Sequence, residues 1–101
     1  MALDLRGVTR YPYFKTLSLD ISTLEIKLPP SARKITIGSE TKKLYLSQNG
    51  ATDAGTLPAD YIFVPASNLL ALNIGVGLEN PGSVYVSVST GTGTAHILIE
   101  E

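Results

Sequence analysis

The chain has 101 residues and a formal net charge of −1, with eight basic and nine acidic side chains. This balance excludes the strong global attraction to nucleic acid or to anionic membranes that a basic protein has. Cysteine is absent, and no apolar run reaches the roughly 20 residues that cross a bilayer. We therefore predict a single soluble domain, residues 1–101, held by apolar packing, with no nucleic-acid or membrane partner.

The N-terminal segment, residues 1–14, is rich in arginine and aromatic residues. Charged side chains interrupt its apolar ones, unlike a signal peptide, so we expect the mature chain to begin at residue 1. Arginine and aromatic residues dominate the cores of protein interfaces. The segment is predicted either to pack on its own domain as a first strand or to be an N-terminal arm that reaches into a neighbour. Its interface candidates are Arg6, Arg10, Tyr11, Tyr13 and Phe14.

Two sets of alternating apolar residues follow this segment and predict β-strands. They form either one long strand kinked near residues 22–23 or two short strands. Pro29-Pro30 then stops the pairing, because proline cannot donate a backbone hydrogen bond. The first set is Leu17, Leu19 and Ile21, and the second is Leu24, Ile26 and Leu28.

Four more strands are predicted in the middle of the chain. Residues 34–38 and 43–48 are expected to form a hairpin with isoleucine and leucine side chains inward. The polar residues 49–60 are predicted to be a long solvated loop, whose aspartates do not match the spacing of a calcium site. Residues 61–65 predict a short strand. Residues 68–74 predict another, because the glycines and proline that follow leave no room for a helix.

The last two predicted strands surround a Gly-Thr-Gly-Thr turn at residues 91–94, and we expect them to form a hairpin. Because a strand follows this turn, its glycines are not predicted to bind phosphate. Placing residue 89 opposite residue 94 makes one face of the hairpin wholly apolar. That face pairs Val88 with Ala95, Val86 with Ile97 and Val84 with Ile99, and the other face pairs Ser87 with His96 and Tyr85 with Leu98.

His96 is the only histidine of the chain. A zinc site around it would have to use carboxylates, because the chain offers no cysteine or second histidine. A Ser87-His96 pair could act as nucleophile and base, but no acid that would orient the histidine is evident. We therefore predict no catalytic activity, no metal and no cofactor. Tyr85 and His96 complete the set of interface candidates.

Taken together, the patterns predict an all-β protein, an antiparallel β-sandwich that is jelly-roll-like, with seven or eight strands. Residues 1–43 carry a net charge of +4 and residues 44–101 a net charge of −5. These halves either neutralise each other within one fold or form opposite poles that face neighbouring subunits.

A homo-oligomeric structural protein is the predicted function. The alternative is a carbohydrate- or ligand-binding β-sandwich module, as many sandwiches of this size are. Such a module would need an exposed aromatic platform, for which the chain offers Tyr45, Tyr61 and Tyr85. Burial of all three tyrosines would remove this alternative.

Part of the chain, residues 33–99, resembles small accessory virion proteins of tailed bacteriophages. In those proteins a strand that ends in Val-Pro-Ala precedes a Ser-x-Tyr-Val strand and a final Gly/Thr hairpin. The resemblance implies a non-catalytic structural component of a phage particle, such as a decoration or tail-associated protein. Its location would be the virion, its partners other copies of itself or virion proteins, and no binding residues are transferred. The segments that carry the resemblance are residues 33–39, 43–47, 61–66, 83–86 and 91–99.

Overall fold

The computed structural model describes residues 2–48, 52, 57, 60–73 and 82–101. These residues form nine β-strands, and none of them belongs to a helix that could cross a membrane. Residues 74–81, which include the end of the strand predicted over 68–74, and most of the predicted loop at 49–60 lie outside the described residues. The strands are β1 (Ala2–Asp4), β2 (Tyr13–Asp20), β3 (Leu24–Lys27), β4 (Lys34–Ser39), β5 (Leu44–Ser47), β6 (Ile62–Val64), β7 (Asn68–Asn73), β8 (Ser83–Val88) and β9 (Thr92–Glu100).

The strands form two sheets. Sheet A has the order β1-β3-β8-β5-β6, and sheet B has the order β2-β9-β4-β7. All neighbouring strands are antiparallel except β1 and β3, which are parallel. The all-β, antiparallel sandwich predicted from the sequence is therefore confirmed. The strand beyond the predicted eight is β1, whose three residues are too few for a readable alternation.

The strand order follows from four nested antiparallel pairs. β2 pairs with β9, β3 with β8, β4 with β7, and β5 with β6. The chain thus behaves as one long hairpin that is rolled up until β4 also meets β9 and β5 also meets β8. This rolled hairpin is the jelly roll of two four-stranded sheets, with β1 added at one end of sheet A.

The core lies between the two sheets and consists of alternate residues of the strands. Fully burying an aliphatic side chain contributes about 1.5–3 kcal/mol, so this set supplies most of the folding energy. The apolar residues predicted to point inward are nearly all in it. An exception is Ile21, which follows the end of β2 and is 48% exposed. The buried apolar residues are Leu5, Leu17, Leu19, Ile26, Leu28, Ala32, Ile35, Ile37, Leu44, Leu46, Val64, Val84, Val86, Val88, Ala95, Ile97 and Ile99.

The predicted C-terminal hairpin is wrong, because β8 and β9 lie in different sheets. Val88 pairs with Leu44 of sheet A, whereas Ile97 pairs with Ile37 of sheet B. The chain crosses between the sheets at residues 89–91, where Gly91 adopts a positive φ of 62°. The two apolar faces that were expected to lie side by side face each other across the core instead.

Every pair of consecutive strands except β5 and β6 changes sheet, and two more of these crossings bear on the predictions. The hairpin predicted from β4 and β5 is wrong, because β4 belongs to sheet B and β5 to sheet A. β2 and β3 lie in different sheets as well, which confirms two short strands rather than one kinked strand. In all three cases a short link turns the chain over the end of the core.

The N-terminal segment packs on its own domain. β1 pairs with β3, and Leu5 just after it is buried. The hydroxyl groups of Tyr11 and Ser31 are hydrogen-bonded at 2.9 Å. The segment is therefore a first strand and cover of the sandwich. Contact of the same segment with a neighbouring subunit stays a prediction.

Candidate functional site

One edge of the sandwich carries most of the exposed apolar surface. β6 and β7 are the outermost described strands of their sheets at this edge, and they contact each other there. Six large apolar side chains are exposed in the described part of the chain, and four belong to this edge. We call these four residues the apolar edge. They are Tyr61 (42% exposed), Ile62 (45%), Phe63 (55%) and Leu69 (70%).

A tight connection between β6 and β7 joins the two segments that carry these side chains. Pro65 follows β6 and cannot extend its pairing, because proline has no backbone N–H to donate. Ser67 then adopts a positive φ of 65°. Its backbone N–H donates to the Ser39 carbonyl oxygen at 2.8 Å, which anchors the connection to β4. β7 begins at the next residue, so Leu69 emerges directly from the turn.

Gly38 in β4 allows β7 to lie very close to it. A Cβ atom at this position would collide with the Asn68 carbonyl oxygen and would lie 2.8 Å from Leu69 Cδ2. Leu69 therefore covers the glycine on the outer face of sheet B. The glycine fixes where β7 and its exposed leucine lie.

The apolar edge lies in a long uncharged stretch. No charged residue occurs in residues 61–78, between Asp60 and Glu79. Natural edge strands usually carry charges, prolines or bulges, which prevent their unpaired backbone groups from binding another strand. β7, with the sequence Asn-Leu-Leu-Ala-Leu-Asn, has no charge and no proline. The apolar edge thus lacks two of the usual protections of an edge strand.

An aromatic cluster adjoins the apolar edge on the outer face of sheet A. The rings of Tyr45 and Tyr61 meet edge to face, with centroids 5.7 Å apart. Lys43 Nζ lies 4.8 Å from the Phe63 ring centroid and 5.3 Å from that of Tyr45. Such cation–π contacts are worth about 0.5–1 kcal/mol at exposed sites. The ammonium group of Lys43 therefore lies against the aromatic rings of this cluster.

Two clefts flank the apolar edge. The larger holds about 500 Å³ and is lined by apolar and polar residues of both sheets. The smaller holds about 430 Å³ and lies over Gly38 on the outer face of sheet B. The larger is lined by Leu46, Ser47, Gln48, Asp60, Tyr61, Ile62, Leu72 and Val84, and the smaller by Gly38, Ser39, Glu40, Ser67, Asn68, Leu69 and His96.

The structure does not gather the interface residues predicted from the sequence. Tyr11 and Tyr13 are half-buried against the core, and Arg10 is exposed. Phe14 is 71% exposed on the outer face of sheet B, beside Leu98 of β9. These residues lie at the β1–β2 side of the sandwich, away from the apolar edge. Their role in an interface stays a prediction.

Arg6 is engaged within its own segment. Its guanidinium donates to both carboxylate oxygens of Asp4, at 2.9 and 2.7 Å. These hydrogen bonds from Arg6 hold the pKa of the Asp4 carboxyl well below its usual range, and they raise the pKa of Arg6. The pair places both signs of charge beside β1.

The predicted neighbours Ser87 and His96 lie on opposite outer faces of the sandwich, so they cannot form a nucleophile–base pair. Ser87 is opposite Tyr45 in sheet A. His96 is exposed on sheet B, where its Nδ1 is 3.3 Å from Thr16 Oγ1 and its Nε2 is 3.7 Å from a Glu40 carboxylate oxygen. Within the described part of the chain, no three histidine, cysteine or acidic residues are grouped to hold a metal ion.

The connection after β5 is not wholly solvated, contrary to the prediction. Thr52 is fully buried, and its backbone N–H donates to Thr23 Oγ1 at 2.8 Å. Ser87 Oγ donates to the Thr52 carbonyl oxygen. Ser87, which points away from the core, is thereby buried as well. Asp53, one of the two aspartates weighed for calcium, lies outside the described residues, and Asp60 is exposed.

The oppositely charged halves of the chain are not separate poles. β2 and β4 from the basic half alternate with β9 and β7 from the acidic half across sheet B. Lys34 and Glu100, one from each half, approach to 4.0 Å. Mutual neutralisation within one fold, the first of the two alternatives, therefore fits the structure.

Comparison with known proteins identifies no protein that is similar to this chain. A scan against protein-family models, a search of curated proteins and a search of solved structures each find no match for this chain. The functional argument therefore rests on the geometry of the sandwich and its apolar edge.

Of the four residues of the apolar edge, the sequence predicts only Tyr61 as a candidate, as part of an aromatic platform. One feature of the sequence points to the other three residues, Ile62, Phe63 and Leu69: they lie in the uncharged stretch 61–78, which contains two predicted strands. That the two strands lie at the edges of their sheets could not be read from the pattern.

Proposed function

We propose that this chain is a non-catalytic structural protein that binds other protein subunits through its apolar edge. It would self-associate, and the assembled subunits would form or decorate a larger particle. The observation that supports this proposal is the placement of four exposed large apolar side chains on or next to two edge strands that carry no charged residue. A concentration of exposed apolar side chains on one part of a protein surface is typical of protein interaction sites.

The energy available at the apolar edge is modest. Covering the exposed parts of its four side chains would gain on the order of 5 kcal/mol. Association also costs several kcal/mol in lost translational and rotational freedom. Apolar burial alone therefore supports weak binding, and tight association needs further contacts such as backbone hydrogen bonds or many linked copies.

The proposed particle is a bacteriophage virion. Residues 33–99 resemble accessory virion proteins in their strand and turn motifs, and jelly rolls build viral capsid subunits. The second argument is an analogy at the level of the fold. Genes for portal, capsid or tail proteins beside this gene would support a virion component, and a metabolic operon around it would contradict one.

Light scattering coupled to size exclusion tests self-association. We expect the molar mass to rise above 10.7 kDa between about 10 and about 500 µM protein, the range in which weak interfaces form. Phe63→Lys and Leu69→Lys should return the mass toward that of the monomer. Ile21→Lys is the control, because it charges an apolar residue that is exposed to nearly the same degree as Phe63, 48% against 55%, but follows the end of β2 at the opposite edge.

A wild-type mass of 10.7 kDa at every concentration would contradict self-association. An unchanged mass in both lysine variants, with an oligomeric wild type, would move the interface away from the apolar edge. Thermal melts of each variant show whether the fold is retained.

The second candidate function, a carbohydrate- or ligand-binding module, is favoured by the aromatic cluster. Tyr61 is exposed, and Tyr45 and Tyr85 are half-buried, so the three tyrosines are not all buried. The cleft of about 500 Å³ beside Tyr61 offers room for a ligand. Titration with oligosaccharides, followed by NMR, would shift resonances of Tyr45 and Tyr61, and Tyr61→Ala would abolish the shifts. Shifts that are absent or scattered over the surface would remove this candidate.

A further inference from the structure

We propose that two copies of this chain pair through β7, antiparallel and around a two-fold axis, so that their B sheets join into one eight-stranded sheet. The inference rests on the proposed function and specifies its partner and geometry. β7 is the outermost described strand of sheet B. An edge strand directs every second pair of backbone N–H and C=O groups outward, and a second strand supplies the hydrogen bonds that these groups can make.

The charge pattern favours a second copy over a different partner. When a strand pairs with itself in antiparallel fashion, the residues close to the two-fold axis lie beside their own counterparts, so a charge there would meet a like charge. The segment that contains β7 has no charged residue in its 18 positions, 61–78. A charged partner would instead require charges of the opposite sign. The neutral strand therefore suits a neutral partner strand, and a second β7 is one.

Side-chain direction restricts the register. Opposed residues of an antiparallel pair lie on the same face of the sheet, so the two-fold axis must pass beside a residue that opposes its own copy. An axis at Ala71 places Leu70 of each copy opposite Leu72 of the other. Both leucines are half-buried at the margin of the core. This register would cover both and join the two cores across the new strand pair.

The same register suits the outer face of sheet B. Ala71 would oppose its own copy, and Leu69 would oppose Asn73. Ala71 is small and exposed, so two copies can approach without a clash. Leu69 would be covered in part by the neighbouring strand, diagonal to Ala71 of the second copy. The arrangement thus buries the most exposed residue of the apolar edge and adds the backbone hydrogen bonds that apolar burial alone lacks.

Distances between spin labels test the pairing. The chain has no cysteine, so a single introduced cysteine carries the only label. Lys34 lies on β4 opposite Asn73, and Thr16 lies on the far strand β2. With strands about 4.8 Å apart and a rise of about 3.3 Å per residue, pairing through β7 predicts about 20 Å between two labels at Lys34 and about 36 Å between two at Thr16. Pairing through β2 would reverse the order of the two distances.

Charge exchange at the axis tests the register. Ala71→Lys should weaken self-association by at least about tenfold, and Ala71→Glu should do the same. Mixing the two variants should restore association, because the lysine of one copy would then oppose the glutamate of the other. Ser18→Lys, which charges an exposed residue of β2, is the control and should leave association unchanged.

Each outcome decides between the two proposals. A wild type that is monomeric at all concentrations overturns both self-association and β7 pairing. An oligomer with a longer distance at Lys34 than at Thr16, or with no rescue in the mixture, overturns β7 pairing around Ala71 and leaves association through another surface. Short distances at Lys34 together with rescue support the paired sheet.

Discussion

The two edges of the sandwich are built differently. At one edge β1 has three residues and is followed by the ion pair of Asp4 and Arg6, at 2.7 Å, and β2 carries Lys15 and Asp20. At the other edge, β6 and β7 carry no charged residue and expose four large apolar side chains. Short strands and charges are the devices by which natural β proteins prevent edge pairing. β1 and β6 are both short, so the difference lies in the longer edge strands: β2 carries charges and β7 does not.

Lys15 shows the contrast most clearly. It belongs to the core-facing set of β2, because its partner in β9 is the buried Ile97. Leu17 and Leu19 of the same set are buried, whereas Lys15 is exposed. A lysine at an inward position of an edge strand would be forced into an apolar environment if another strand covered it. No such residue occurs in β7.

The largest expected effect is a loss of stability when a side chain is added at Gly38, where β4 packs against β7. Gly38→Ala should cost about 2–3 kcal/mol, because its Cβ would collide with the Asn68 carbonyl oxygen. Gly7→Ala, near the opposite edge, is the control: no atom lies within 4 Å of its added Cβ, so it should change stability by less than about 0.5 kcal/mol. Urea denaturation measures both, and equal costs would show that β7 is not held against β4 as described.

The next largest effect is expected on self-association, which should increase when the charge of Lys15 in β2 is removed. Lys15→Leu should create a second unprotected edge, so that molecules bind at both edges and grow into larger species. Light scattering should give a mass above that of the wild type at equal concentration. The double variant with Leu69→Lys should retain association through β2 only. An unchanged mass for Lys15→Leu would mean that this charge does not protect the edge.

A smaller effect is expected from the N-terminal segment. Tyr11→Phe removes the hydrogen bond to Ser31 Oγ and should cost about 1 kcal/mol. If the segment is an integral cover of the domain, the amide of Leu5 exchanges only when the whole domain unfolds. The free energy of opening measured by its exchange should then fall by the same amount as the free energy of global unfolding. Exchange that is already fast in the wild type would instead indicate a loosely held arm.

The smallest effect is expected from Asp4→Asn at the protected edge. Hydrogen bonds from Arg6 lower the pKa of Asp4, so its stabilising contribution is present above the unfolded value near 3.8 and is lost as the pH falls below it. The wild type should melt slightly above the variant at pH 7, and the difference should shrink in acid. Because the pair is exposed, salt should also reduce the difference. A difference that grows in acid would contradict this sign.

The candidate site was only partly predictable. The sequence predicts Tyr61 as part of an aromatic platform, whereas Ile62, Phe63 and Leu69 have the pattern of ordinary core residues of buried strands. Their exposure results from the position of β6 and β7 at the ends of their sheets, which depends on pairings between residues far apart in sequence. Burial of Thr52 was equally invisible, because its polar surroundings predict a solvated loop and only the fold brings Ser87 beneath it.

The sequence by itself determined which side chains form the core. Val84, Val86 and Val88 point inward because successive side chains of a strand alternate between faces, and this holds whichever strand lies beside them. Only the tertiary structure decided the pairing. An apolar face is removed from water equally well by a neighbour in the same sheet and by a sheet across the core, so hydrophobic alternation cannot distinguish a hairpin from a crossover between sheets. The nested pairs of the jelly roll made that choice, and they also left β6 and β7 at the outside.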